Sequence, residues 1–281
     1  MQTENNTIQE ILQSILNSKK QIESYLGDNR ELSKNRKTTF LAFWDFDGTI
    51  LKGDCSEGLN EANGFKGLME LGILNGFLKE FNGEEGVRAF WKKYREMENI
   101  DKREAYLFLP RLFSGNKLET IHKLAKNHFN NVMRNFYFPS SIKILETLKA
   151  NGIESYILSA SADFFIKGIE GTLPIQKENM YGIEVKIQDG IITKDEIEPV
   201  TYAEGKAEKL KLIVNSLLEN KKADQVFVLA GFGNSFHTDG PFLEYIAKQT
   251  LIAGMPTTVM INGGYAPEEY AGIFKEVKFD L

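Results

Sequence analysis

Four short apolar runs punctuate the chain: FLAFW (40–44), IESYILS (153–159), QVFVLA (225–230) and TTVMI (257–261). Apolar runs of this length without clean alternation predict strands buried on both faces, as in a parallel sheet. Helical spacing separates the later runs. Ile142, Leu145 and Leu148 follow Pro139, with Gly152 as a stop signal, and Ala207, Leu210, Ile213, Val214, Leu217 and Leu218 form a second apolar face. Strand–helix–strand alternation predicts an α/β fold, a Rossmann-like, doubly wound parallel sheet covered on both sides. Ile8, Ile11, Leu12, Ile15 and Leu16 predict an amphipathic helix before the first strand, joined to it by the polar stretch GDNRELSKNRKT.

Residues 54 to about 137 break this rhythm. They are rich in Glu, Lys, Phe and Leu, contain one proline and show helical spacing with no convincing strand. So long a helical insert after the first core strand reads as a cap. The expected division is a helix and linker over 1–39, a core of 40–53 and 138–281, and a helical cap over 54–137. The segment NMYGIEVKIQDGIIT (179–193) alternates around Asp189-Gly190, the signature of a hairpin turn. No internal repeat or low-complexity tract is present.

Bulk properties narrow the function classes. The 281 residues are 42% hydrophobic and 26% charged, as in an ordinary soluble domain. A formal charge of −5 supplies no basic footprint for nucleic acid. No apolar run approaches the roughly 20 residues that span a bilayer. Cys55 is the only cysteine, which excludes an intrachain disulfide and fits a reducing compartment. The first residues lack a basic start followed by an apolar block, so the expected location is cytoplasmic, or periplasmic if a signal segment has been removed.

The candidate chemistry begins where the first strand ends. In WDFDGT, alternation puts Asp45 and Asp47 on one side, and Gly48 lets the backbone turn sharply. In doubly wound sheets, ligands bind beyond the carboxyl ends of the strands. Two carboxylates there suit a metal, or a nucleophile with an acid/base partner. An ordinary turn is the simpler alternative. A calcium loop fits poorly, since its twelfth position would need glutamate and holds Ser56. Later strand ends and helix starts add Ser159 with the Ala160 amide, Lys206 beside Gly205, and Asn234, Ser235 and Asp239 in GNSFHTD.

These four stretches, in this order, resemble the motifs of the haloacid dehalogenase superfamily, over about residues 40–262. An acid two residues after the nucleophile marks its phosphatases and phosphotransferases. The helical cap, the 179–193 hairpin, EPVTYAEGK, TDGPF and the cap stretch YREMENIDKREAYLFLPRLFSG are more particularly similar to the phosphoserine phosphatase branch and its phosphorylcholine phosphatases.

The resemblance implies a small phosphorylated metabolite as partner and hydrolysis through an aspartyl-phosphate. Asp45 is then the nucleophile and Asp47 the acid/base. Lys206 and Ser159 hold the phosphoryl oxygens, with the Ala160 amide and Thr49 also facing the substrate. Mg2+ would be bound by Asp45, Asp47, Asn234 and Asp239. Charge explains the need for cations: unit charges ~4 Å apart repel by about 4 kcal/mol at an effective dielectric near ~20, and a phosphate dianion facing Asp45 doubles that. Asn234 departs from the family pattern, in which many relatives carry aspartate, and implies weaker magnesium binding. Asp239 would orient a metal-bound water or the lysine.

Asp54 stands where the branch faces a substrate amine, while DCSE also reads as a helix N-cap with Glu57 completing a capping box. Recognition of choline would need aromatic faces. Trp91, Tyr94, Tyr106, Phe108 and Phe113 are available, although helical spacing favours them as core. Cys55 reads as packing. His122, His128 and His237 read as surface groups, and they form no zinc-type cluster with Cys55. A phosphotransferase, or a binding protein with weakened turnover, are the competing readings.

Overall fold

Eight strands organise the computed structural model, which describes residues 2–34 and 36–281. They are β1 (Thr38–Trp44), β2 (Ile153–Ala162), β3 (Met180–Ile183), β4 (Val185–Gln188), β5 (Ile191–Glu196), β6 (Gln225–Gly233), β7 (Thr257–Ile261) and β8 (Lys275–Val277). Six form one sheet in the order β3-β2-β1-β6-β7-β8, while β4 and β5 form a separate antiparallel pair. The pairs β1–β2, β1–β6, β6–β7 and β7–β8 are parallel. With helices flanking it, this is the α/β Rossmann-like arrangement expected from the four apolar runs. The order places β1 and β6 side by side at the centre, so the chain segments that leave their carboxyl ends are neighbours.

The chain divides into two compact units. One comprises residues up to Ile50, Phe138–Leu158 and Ala203–Leu281; the other comprises Leu51–Tyr137 and Ser159–Tyr202. In the first unit every residue of β1 after Thr38 is buried, as continuous hydrophobicity requires of a central parallel strand. The amino-terminal helix Gln2–Asp28 is real. Its Ile8, Ile11, Ile15 and Ile22 are at most 3% exposed, and each such burial contributes about 1.5–3 kcal/mol. Ser18 fastens the same face, its Oγ donating to the Met255 carbonyl at 2.7 Å. The helix Pro139–Ala150 starts on its proline, and Gly152 beyond its end has φ +69°, the left-handed stop that the sequence signals.

The second unit holds the helices Leu68–Leu74, Gly83–Ile100, Lys102–Arg111 and Leu118–Asn131. Among the described residues no strand lies between 54 and 137. Phe113 packs edge-on against Phe164 and Phe165, with ring centroids 5.5 and 5.3 Å apart. The β4–β5 turn has Asp189 and Gly190 both at positive φ, the conformation that Asp-Gly favours between twisted strands. The alternating stretch nevertheless splits in two. Met180–Ile183 joins the large sheet as β3, and only 185–196 makes the hairpin. Among the described residues, no helix is long and apolar enough to cross a membrane.

Candidate active site

Strand β1 ends at Trp44, but its ladder continues one residue further: the Asp45 N–H donates to the Phe232 carbonyl of β6 at 2.8 Å. Phe46 is fully buried, so alternation turns Asp45 and Asp47 to the opposite side of the chain from it. The turn that follows is close to a neighbouring loop. Gly48 has φ +74°, and a Cβ built on it would sit 1.9 Å from the Asn234 side-chain nitrogen. Only glycine allows this approach. Thr49, itself buried, donates from Oγ1 to Asp45 Oδ2 at 2.9 Å.

A residue that sequence reasoning passed over fixes this turn. Ser141 is fully buried and donates from Oγ to the Thr49 carbonyl at 2.7 Å. In the sequence it resembles any serine in the first turn of a helix, and only its long-range partner reveals the role.

Lys206 arrives from the first turn of the helix Glu204–Glu219 and is wholly shielded from solvent. Its Nζ donates to Asp45 Oδ1 at 2.7 Å and to Asp239 Oδ1 at 2.6 Å. Asp239 uses its other oxygen on the loop after β6, where Oδ2 accepts from the Asn234 N–H at 2.9 Å and the Ser235 N–H at 3.0 Å. One lysine and one aspartate therefore join the end of β1, the loop after β6 and a helix start.

One ammonium faces two carboxylates here, leaving a net negative charge in a buried place. Burial, and next the charge of Asp239, push the Asp45 carboxyl up to about 7, against the pull of Lys206 and Thr49. For Lys206, burial works against the charged form, but the carboxylates of Asp239 and Asp45 outweigh it and hold the ammonium above its ordinary range. An additional cation would relieve the excess negative charge. Oxygen donors near this turn include the carboxylates of Asp45 and Asp47 and the Asn234 side-chain amide, whereas both Asp239 oxygens are taken by Lys206 and the two amides. Such a set suits a hard ion such as magnesium.

The remaining candidates lie in the second unit. Ser159 is fully buried inside β2, which runs on to Ala162 and so does not end at the serine as the sequence suggests; its Oγ accepts from the Ser161 N–H at 3.0 Å and its carbonyl from Thr201 Oγ1 at 2.6 Å. Ala160 is partly exposed beside it. Asp54 caps a turn. Its Oδ1 accepts from the Ser56 and Glu57 N–H groups at 2.7 and 2.8 Å, while the chain closes on Gly58 by two backbone hydrogen bonds. The capping-box alternative is therefore corrected: no helix begins until Leu68, and the Glu57 carboxylate pairs with Arg95 instead.

Tyr94 and Phe113 are core, as their spacing suggests, whereas Trp91, Tyr106 and Phe108 are partly exposed. Cys55 is buried and reads as packing. His237 is exposed, and His122 and His128 are half-buried. His128 Nε2 lies 2.8 Å from the Lys66 carbonyl.

A family model for haloacid dehalogenase-like hydrolases matches residues 42–244, which takes in Asp45, Asp47, Ser159, Lys206, Asn234 and Asp239. The chain belongs to this family. Among solved structures, this haloacid dehalogenase-like hydrolase is similar to a protein of unknown function from Bordetella pertussis Tohama I, with 17% identity and TM-score 0.61 over 85% of this chain and 98% of that one. It is also similar to a HAD family hydrolase from Salmonella enterica serovar Typhi, with 16% identity and TM-score 0.52 over 90% and 76% of the two chains. A phosphoserine phosphohydrolase-like protein from Francisella tularensis gives 16% identity and TM-score 0.50 over 85% and 95%. At these identities the likeness is one of fold. No curated protein matches the chain in sequence.

Proposed function

We propose that the protein is a magnesium-dependent phosphomonoesterase for a small phosphorylated metabolite. The observation that carries this reading is Lys206, buried and donating to both Asp45 and Asp239. A lysine in that position supplies part of the charge that an incoming phosphate needs and holds Asp45 Oδ1, so that Oδ2, steadied by Thr49, is the oxygen that would face it. Asp45 then attacks phosphorus, and the bond to the leaving oxygen breaks as Asp47 supplies its proton. In the second half-reaction Asp47 takes a proton from water, which attacks the aspartyl-phosphate and releases inorganic phosphate. Ser159, the Ala160 amide and Thr49 are assigned to the substrate, with Thr49 also steadying Asp45. A magnesium ion held by Asp45, Asp47 and Asn234 would supply the charge that offsets the repulsion between carboxylate and phosphate, while Asp239, expected from the sequence among the ligands, orients Lys206.

The substrate class we favour is a phosphorylated amine, such as phosphorylcholine or phosphoserine, admitted by a helical cap. Support comes from the surroundings of Asp54. Burial raises the hydroxyls of Tyr94 and Tyr106 above their ordinary range, and the charges of Glu57 and Asp54 act on both in the same direction. Tyr106 also lies 4.9 Å from Tyr202 between ring centroids. Acidic groups beside aromatic faces suit a cationic head group.

Release of phosphate from p-nitrophenyl phosphate, with and without magnesium, tests the reaction. Magnesium-dependent release is expected, with a loss of at least about 10³-fold in Asp45→Asn. No release with magnesium, or full activity in the variant, ends the phosphatase reading. An added acceptor alcohol that diverts the phosphoryl group from water would identify a phosphotransferase instead.

A further inference from the structure

The second unit contains a cavity of about 530 Å³ that no step of the proposed reaction uses. Leu118, Phe164, Val185, Ile187 and Ile197 form its apolar lining. Ile187 and Ile197 are 41% and 38% exposed, an unfavourable state for large aliphatic side chains. Concave, mainly apolar spaces of this size with a few polar groups are where proteins hold small molecules.

The charges around the cavity are distributed unequally. At one corner Lys167 meets Asp163 at 2.9 Å, Asp163 also accepts from the Gly182 N–H at 3.2 Å, and the charge of Glu184 acts on both. That lysine is compensated within the protein. Lys177 is in a different position. Its Nζ lies 3.4 Å from His122 Nε2 and 3.6 Å from Glu170, a half-buried carboxylate outside the lining that Lys126 also reaches at 3.4 Å, so two lysines share one counter-charge. Burial, followed by the Lys177 charge, holds the His122 imidazole below its ordinary range, so near pH 7 the ring is neutral and offers Lys177 no counter-charge. Glu119 also lines the cavity, but it is exposed, where water and salt screen it.

We propose that this cavity binds a small amphipathic carboxylate, with its apolar chain against Val185, Ile187 and Ile197 and its carboxylate on Lys177. An amine of the same shape, placed with its head group at the same end, would bring a like charge to Lys177. An alcohol would leave Lys177 with only its share of Glu170.

Calorimetric titration of the full chain with octanoate, octylamine and octanol, each below its micelle concentration, tests this. Octanoate should bind saturably, one per chain, and more tightly than octylamine or octanol by about tenfold or more, the ratio that ~1.4 kcal/mol of discrimination gives. Lys177→Gln should weaken octanoate by at least about fivefold, and Ile187→Asp should do the same by placing charge where the apolar chain lies. Both variants should release phosphate from p-nitrophenyl phosphate at the parent rate, which confirms that they are folded. Absence of saturable octanoate binding overturns the proposal. So does octylamine or octanol binding equally well, or an unchanged octanoate affinity in Lys177→Gln.

Discussion

Lys206 and Asp239 lie 2.6 Å apart with both side chains wholly shielded from solvent. Neither charge is tolerable there alone, because an ion taken out of water needs a partner. Replacing Lys206 by methionine strands Asp45 and Asp239 together. In the absence of divalent ions, urea unfolding at pH 8 should show a loss of about 3–5 kcal/mol. The loss should be smaller at pH 5.5. Asp45 is already pushed up to about 7 by burial and Asp239, so at low pH it takes a proton and sheds its charge. An equal loss at both pH values would show that the two carboxylates do not share one electrostatic site.

Gly48→Ala joins two penalties. The backbone at φ +74° disfavours any L side chain by roughly 1–2 kcal/mol, and the new Cβ drives into the Asn234 amide. Phosphate release per enzyme should fall by at least about tenfold, the equivalent of ~1.4 kcal/mol at the transition state. Retention of the parent rate would mean that Asn234 has no part in the chemistry.

Asn234→Asp adds one negative oxygen beside the turn at Gly48. The magnesium concentration giving half-maximal rate should fall, because a charged oxygen binds a hard cation better than an amide oxygen does. An unchanged requirement removes this side chain from the ion's surroundings.

Asp54→Asn keeps an acceptor for the Ser56 and Glu57 N–H groups, so the turn survives the change. Only the negative charge is lost. Turnover of phosphorylated amines should decline relative to sugar phosphates, read as the ratio of kcat/KM across a substrate panel. A constant ratio rules out head-group recognition at this residue.

Acid should destabilise the fold through its histidines. Burial holds His128 below its ordinary range, and burial together with Lys177 does the same to His122. At these two residues the unfolded chain therefore takes up protons first as pH falls through about 6.5, so their contribution to stability declines, against the opposite contribution of Asp45, which takes its proton in the folded state. His128→Gln should flatten this slope between about pH 7 and 5 in urea midpoints. A slope identical to the parent would assign the acid limb to other groups.

Much of the fold was legible because most residues of β1, β2, β6 and β7 are buried, so their runs had to be largely apolar, with exceptions such as the exposed Glu154. The hairpin showed itself through Asp189-Gly190. Strand β8 left no such trace. It is three residues long at the sheet edge, and its Lys275 and Glu276 face water. Strand β3 escaped separation from the hairpin because Glu184 alone divides them and carries no turn signature.

At the candidate site, Asp45, Lys206 and Asp239 could be picked out by position in the chain. What could not be read was that Asp239 spends one oxygen on the lysine and the other on two backbone amides. Ser141 and Thr201 were invisible for a related reason: a buried hydroxyl bonded to a distant carbonyl has the same local sequence as a solvated one.

The first helix has a practical meaning for anyone handling this protein. With Ile8, Ile11, Ile15 and Ile22 pressed inward, it is a structural wall, and trimming it would lay bare a greasy seam on the surface it covers. Shortened versions should precipitate on expression, whereas a tag attached ahead of the helix should leave the seam closed.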